Sequence, residues 1–131
     1  MGAASVNEPG TISTFSLTPT TVSCGSGYCN YSNVQVKETA FGFITAYFYA
    51  NYTIVDGGND YIGELYPNYK ITVIGGSYDN ETLSLYKPTE SLQGPANAFL
   101  RFQYNGPGSS VSTTFYVYLN VGNNTASSSQ G

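Results

Sequence analysis

In Ser112-Thr113-Thr114-Phe115-Tyr116-Val117-Tyr118-Leu119-Asn120-Val121, the residues Phe115, Val117, Leu119 and Val121 fall on one side of an extended chain. Thr114, Tyr116, Tyr118 and Asn120 fall on the other. Successive strand side chains point to opposite faces, so this period of two marks a strand half in a core and half outside it. Just upstream, Asn105-Gly106-Pro107-Gly108 is a turn, and Ala98 to Tyr104 precedes it. The two stretches are expected to pair as a hairpin.

Working outward, the same pattern recurs. Asn33 to Glu38 sets Val34 and Val36 against Asn33, Gln35 and Lys37, and Thr11 to Leu17 places Phe15 and Leu17 together. Lys70 to Gly75 and Thr82 to Lys87 flank Gly75-Gly76 and Asp79-Asn80-Glu81, and are expected to form a second hairpin. No amphipathic helix is visible. About seven to eight short strands separated by turns indicate an all-β chain folded as an antiparallel β-sandwich, with an up-and-down barrel as second choice. One sandwich domain is expected over residues 11–122, with flexible tails at 1–10 and 123–131.

Phe41 to Val55 is a run of 15 residues, apolar on both faces. As one strand it would extend about 50 Å, against a usual 17–20 Å. A bend or bulge near Ala50-Asn51, or an overhang, is therefore expected. Ile44, Ala46, Phe48, Tyr52 and Ile54 lie on one face, and Phe41, Phe43, Tyr47, Tyr49 and Val55 on the other. Either both faces are buried within the domain, or Tyr47, Tyr49, Tyr52 and Ile54 mark a protein–protein interface of the isologous kind. Tyrosine suits such a place because its ring packs while its hydroxyl stays bonded.

The charge count excludes several functions. Four basic residues (Lys37, Lys70, Lys87, Arg101) cannot neutralise a nucleic-acid backbone. The chain has no His, which removes Ser-His and Cys-His nucleophiles and the usual general base. Two Cys are too few for a structural zinc site. Charged residues make up 9%, where cytosolic domains carry about a quarter. The surface must draw its polarity from Ser, Thr, Asn and Tyr, as extracellular proteins do. So few carboxylates also leave little for acid to protonate, and acid tolerance is expected. No apolar stretch is long enough to span a membrane, and residues 1–8 have neither the basic nor the apolar part of a signal peptide. The chain is expected to have lost an export signal or an N-terminal anchor.

Smaller motifs have modest readings. Cys24-Gly25-Ser26-Gly27-Tyr28-Cys29 can close a small disulfide loop between two strands. Asn30, Asn51, Asn80 and Asn123 each head an Asn-x-Ser/Thr sequon and are candidate glycosylation sites, Asn80 foremost because a turn is expected there. Asp56-Gly57-Gly58-Asn59-Asp60 with Glu64 lacks the spacing of a calcium loop and reads as a tight turn. Asp56, Asp60, Glu64, Asp79 and Glu81 lie in or beside expected turns, which favours solvated acids over a catalytic pair. Lys70 or Lys87 could form an internal isopeptide with a core Asn or Asp, but no local signature supports one. No metal or cofactor is called for.

Few charges, no His, abundant Tyr, Asn, Ser and Thr, and the strand-rich span Thr11 to Val121 resemble the surface proteins of hyperthermophilic, acid-living archaea. Among these the chain is most similar to the soluble domains of the FlaF-type stator proteins of the archaellum, the archaeal flagellum. The resemblance rests on the run Phe41 to Val55 and the stretch Ile71 to Tyr86. It implies an immunoglobulin-like sandwich with no catalytic residues, held by an N-terminal membrane anchor that is expected to have been removed here. It implies a place between membrane and S-layer, binding to the S-layer protein, a homodimer, and association with the related stator protein FlaG. The leading expectation is thus a non-enzymatic envelope module that anchors a motor. The alternative is a pilus or thread filament subunit in which a donated strand, residues 1–10 for instance, completes the next sandwich. A carbohydrate-binding or hydrolytic sandwich ranks last, since the chain has no Trp.

Overall fold

The computed structural model describes residues 17–19, 21–109 and 111–131. Among the described residues there are nine strands: β1 (Leu17–Thr18), β2 (Thr21–Gly25), β3 (Tyr28–Ala40), β4 (Ile44–Val55), β5 (Tyr61–Val73), β6 (Ser77–Lys87), β7 (Ala96–Asn105), β8 (Ser112–Gly122) and β9 (Thr125–Gln130). They form two antiparallel sheets. The first has the order β1-β3-β4-β5, with β2 also paired to β3; the second has the order β9-β8-β7-β6. The strand expected over Thr11 to Leu17 and the tail at residues 1–10 lie outside the described residues, Leu17 apart.

The sandwich read from the alternating pattern is the architecture found. Val34, Val36, Ile44, Ala46, Phe48, Ala50, Ile62 and Ile71 of the first sheet meet Ala98, Leu100, Phe102, Phe115, Val117, Leu119 and Val121 of the second in one cluster. Its connectivity is simpler than that of an immunoglobulin domain, whose chain passes repeatedly between sheets. Here β2 to β5 are consecutive neighbours, β6 to β9 likewise, and the chain crosses between the two groups at the β5–β6 link.

That crossing corrects an expectation. The stretches around Ile71 and Tyr86 are not a hairpin; β5 and β6 belong to different sheets. Ile74-Gly75-Gly76 carries the chain across. Gly75 adopts φ 78°, and a Cβ on Gly76 would collide with the backbone oxygen of Asn105. Glycines read as a hairpin turn in fact allow a close approach between elements. Nor is Asp79-Asn80-Glu81 a turn. It is a bulge in β6, where Asp79 pairs Gln103 and Thr82 pairs Arg101, with Asn80 at φ 56°.

The long aromatic run is shorter than expected. Phe41 (φ 59°) and Gly42 (φ 78°) form the turn between β3 and β4, closed by Phe43 N donating to Ala40 O at 3.2 Å. From Ile44 onward β4 is continuous, and the irregularities near its centre fall in its neighbours. β3 slips register between Tyr31 and Val34, and β5 slips opposite Tyr47–Tyr49 and Asn51–Tyr52. Pro67 occupies one of these slips, on a sheet edge where its missing N–H costs no ladder bond.

The expected C-terminal tail is a strand. β9 pairs with β8 from Thr125 opposite Gly122 to Gln130 opposite Val117, and Ala126 is buried. Asn123 (φ 53°) and Asn124 (φ 59°) make the two-residue turn, whose positive φ values match the right-handed twist of a hairpin. The Ala98–Tyr104/Ser112–Val121 hairpin forms as expected.

Candidate functional site

With the apolar side chains turned inward, each sheet shows solvent a face of Tyr, amide and hydroxyl groups. On the second sheet, Asn97, Phe99, Arg101 and Gln103 of β7 stand opposite Asn120, Tyr118, Tyr116 and Thr114 of β8. Tyr116 and Tyr118 stack at 5.2 Å with rings 4° apart, and Phe99 meets each edge-on at 5.6 and 6.2 Å. Burial, then the neighbouring Tyr116, push the Tyr118 hydroxyl above its ordinary value. Asn97 Nδ2 donates to Asn120 Oδ1 at 2.8 Å, and Arg101 Nη2 to Thr82 Oγ1 at 2.9 Å. Beside this row lies an open groove of about 510 Å³, lined by Asn80, Thr82, Arg101, Gln103, Thr114 and Tyr116 among others.

The outer face of the first sheet is built in rows. Lys37, Tyr47 and Lys70 share one row; Gln35, Tyr49 and Tyr66 share the next. Gln35 Nε2 donates to the Tyr49 hydroxyl at 3.1 Å, and the Tyr66 hydroxyl donates to Asn51 Oδ1 at 3.1 Å. Tyr47 and Tyr49 meet edge-to-face at 5.6 Å.

The four interface candidates therefore do not assemble. Tyr47 and Tyr49 lie on this outer face. Tyr52 has the opposite parity: it is 6% exposed, stacks on Tyr31 at 4.8 Å, and burial pushes its hydroxyl up. Ile54 shares Tyr52's parity and lines a hollow with Cys29 and Asp56 at one end of the sandwich. A strand's period of two separates residues that a linear run places together.

The sequon asparagines occupy four settings. Asn80 is exposed on the β6 edge and donates to Gln103 Oε1 at 3.0 Å; Asn123 is exposed in the last turn. Asn30 accepts the Thr53 hydroxyl at 2.6 Å, and Asn51 donates to Glu64 Oε1 at 3.2 Å. Cys24 and Cys29 are bonded across the β2–β3 hairpin tip. Lys87 donates to Ser91 Oγ at 2.6 Å and Gly94 O at 3.1 Å, and so holds a loop rather than a core Asn or Asp.

One acid departs from the expectation of solvated turn carboxylates. Asp60 is 0% exposed. Its Oδ1 accepts from Val55 N at 2.8 Å and its Oδ2 from Asn124 N at 2.9 Å. Glu90 accepts from Asp60 N and from Asn123 N, each at 2.9 Å. Burial raises the Asp60 carboxyl against the pull of its two amides, with the Glu90 charge adding to the rise. The amides of Asp60 and Asn123 lower Glu90. The two carboxylates thus clamp the β8–β9 turn from residues 30 and more positions away, a link that no local pattern announces. Glu64 meanwhile bonds Asn51, so Asp56, Asp60 and Glu64 share no common centre. Among the described residues no three His, Cys, Asp or Glu side chains group as metal ligands, and no helix is long and apolar enough to cross a membrane.

No family model, no curated protein and no solved structure matches this chain.

Proposed function

We propose that the chain is a non-catalytic binding module of the cell envelope, working on the extracellular side between membrane and S-layer. It docks on the S-layer protein and pairs with a second copy of itself, holding a fixed point in the manner of FlaF-type stators. The observation that carries this reading is the chemistry of the two outer faces: Tyr47, Tyr49 and Tyr66 on one sheet, Phe99, Tyr116 and Tyr118 on the other, each set among amides and hydroxyls. Stiff aromatic groups with polar edges gain contact area at low entropic cost. Sheet ladders give a rigid mount. Sparse charge leaves such contacts nearly independent of salt and acid.

The test is retention of the chain on isolated S-layer sheets at acidic and neutral pH, with mass in solution measured alongside. Retention at both, weakened about tenfold or more by Tyr116→Ala with Gln103→Ala or by Tyr47→Ala with Tyr49→Ala, is expected from loss of hot-spot aromatics. Tyr49→Lys is expected to shift a dimer to monomer. No retention at either pH removes the S-layer reading, and a monomeric parent removes the dimer.

A further inference from the structure

The end of the sandwich away from the disulfide presents three apolar side chains to water. Phe41 in the β3–β4 turn is 80% exposed, Ile74 in the β5–β6 link 68%, and Val111 in the β7–β8 connection 57%. Their loops are tied together. Ile74 N donates to Phe43 O at 3.0 Å, Gly76 lies against Tyr104 and Asn105, and Gly106 N donates to Val111 O at 2.7 Å. Phe43 packs on Phe41 at 5.7 Å and on Tyr104 at 5.4 Å, joining the exposed tip to the core.

Two features set these tips apart from ordinary surface apolar groups. Phe41 is held at φ 59°, a left-handed conformation that strains any bulky residue. The strained residue then leaves most of its ring in water, outside the core cluster, with Phe43 as its ring contact. Strain of this kind persists where the residue is put to use. Charge is the second feature. Residues 41–43, 74–76 and 106–111 contain no Asp, Glu, Lys or Arg, whereas the loops at the other end hold Asp56, Asp60 and Glu90. Leu92 at that acidic end is fully exposed, but it stands in a loop with Glu90.

We propose that the Phe41 end rests on a lipid surface, with Phe41, Ile74 and Val111 dipping into the boundary between headgroups and acyl chains. Such a boundary accepts separate apolar tips without a complementary shape, and it rejects charge. A second copy fits less well. Three side chains expose a few hundred Å² of apolar surface, below the roughly 800 Å² that each partner commits to a standard interface. The contact is independent of S-layer binding.

The chain has no Trp, so a single introduced Trp reports its own surroundings. Phe41→Trp and Leu92→Trp are each titrated with phosphatidylcholine vesicles, with and without phosphatidylglycerol. The emission of Phe41→Trp is expected to shift to the blue on vesicles of either composition, and that of Leu92→Trp to stay in place. In sedimentation with the same vesicles, Phe41→Ser/Ile74→Ser/Val111→Ser is expected to lower the bound fraction at least tenfold while circular dichroism and Tm are kept. Four results overturn the proposal: a parent that does not sediment with vesicles, no shift at position 41, equal shifts at both ends, or a triple variant that binds as the parent does. In the first case, a triple variant that also loses a dimer gives the patch to a second copy. Vesicle binding without S-layer retention would fell the proposed function and leave this contact standing.

Discussion

Asp60 belongs to a sequence, Asp56-Gly57-Gly58-Asn59-Asp60, that has every mark of a solvated turn, and Asp56 behaves so. Asp60 instead spends both oxygens on backbone amides, Val55 N and Asn124 N, inside the protein. Asp60→Asn keeps the shape but sets an amide NH₂ against one of those N–H donors. It is expected to lower unfolding free energy by about 2 kcal/mol, the cost of a buried donor left unsatisfied, as measured by denaturant titration; an unchanged midpoint would show that the clamp is idle. The turn glycines before Asp60 were legible. The inward direction of its carboxylate was not, because its partner turn lies 64 residues on.

At the scale of the element, local patterns succeeded where a strand's neighbours are simple. β8 is the alternating stretch itself, its hairpin with β7 closes as its turn residues indicate, and β3 buries Val34 and Val36. They failed where a glycine serves two purposes, as Gly75-Gly76 do at the sheet crossing, and where a strand is made of small polar residues. Thr125-Ala126-Ser127-Ser128-Ser129-Gln130 has little apolar content, and it becomes β9 because Asn123-Asn124 turns it back onto β8. Gln130 Nε2 then donates to Thr39 O of the other sheet at 3.0 Å. The disulfide sits at the opposite extreme: β2 is exposed along its whole length, so Cys24–Cys29 ties a hairpin that adds little to the core. Its short loop limits the chain-entropy gain to about 2 kcal/mol. Reduction, or Cys24→Ser with Cys29→Ser, is expected to lower stability by no more than that and to leave the β-sheet circular dichroism in place. Unfolding on reduction would contradict this.

For the whole molecule, two carboxylates of opposite tendency bear on the response to acid. Glu90 sits below its ordinary 4.5 in the folded chain, so its contribution is present above that value and is lost as pH falls through the folded value. Asp60 sits above its ordinary 3.8, so its ionisation weighs against the fold and protonation relieves that weight as pH falls. The two slopes oppose each other, and with only eight acids the parent's Tm is expected to change little from pH 7 to pH 3. Glu90→Gln removes one slope: its Tm should lie below the parent's at pH 7 and approach it in acid. A gap that widens in acid would reverse the assignment. Composition and alternation by themselves determined that this is a charge-poor, all-β sandwich without imidazole chemistry, because a period of two and a residue count are local or additive properties. Only the tertiary structure decided which tyrosines share a face, where the chain crosses between sheets, that residues 125–130 are a strand, and that Phe41, Ile74 and Val111 meet at one end. Each of those depends on which distant segments pair, and pairing is settled by the packing of the whole core rather than by any stretch of chain.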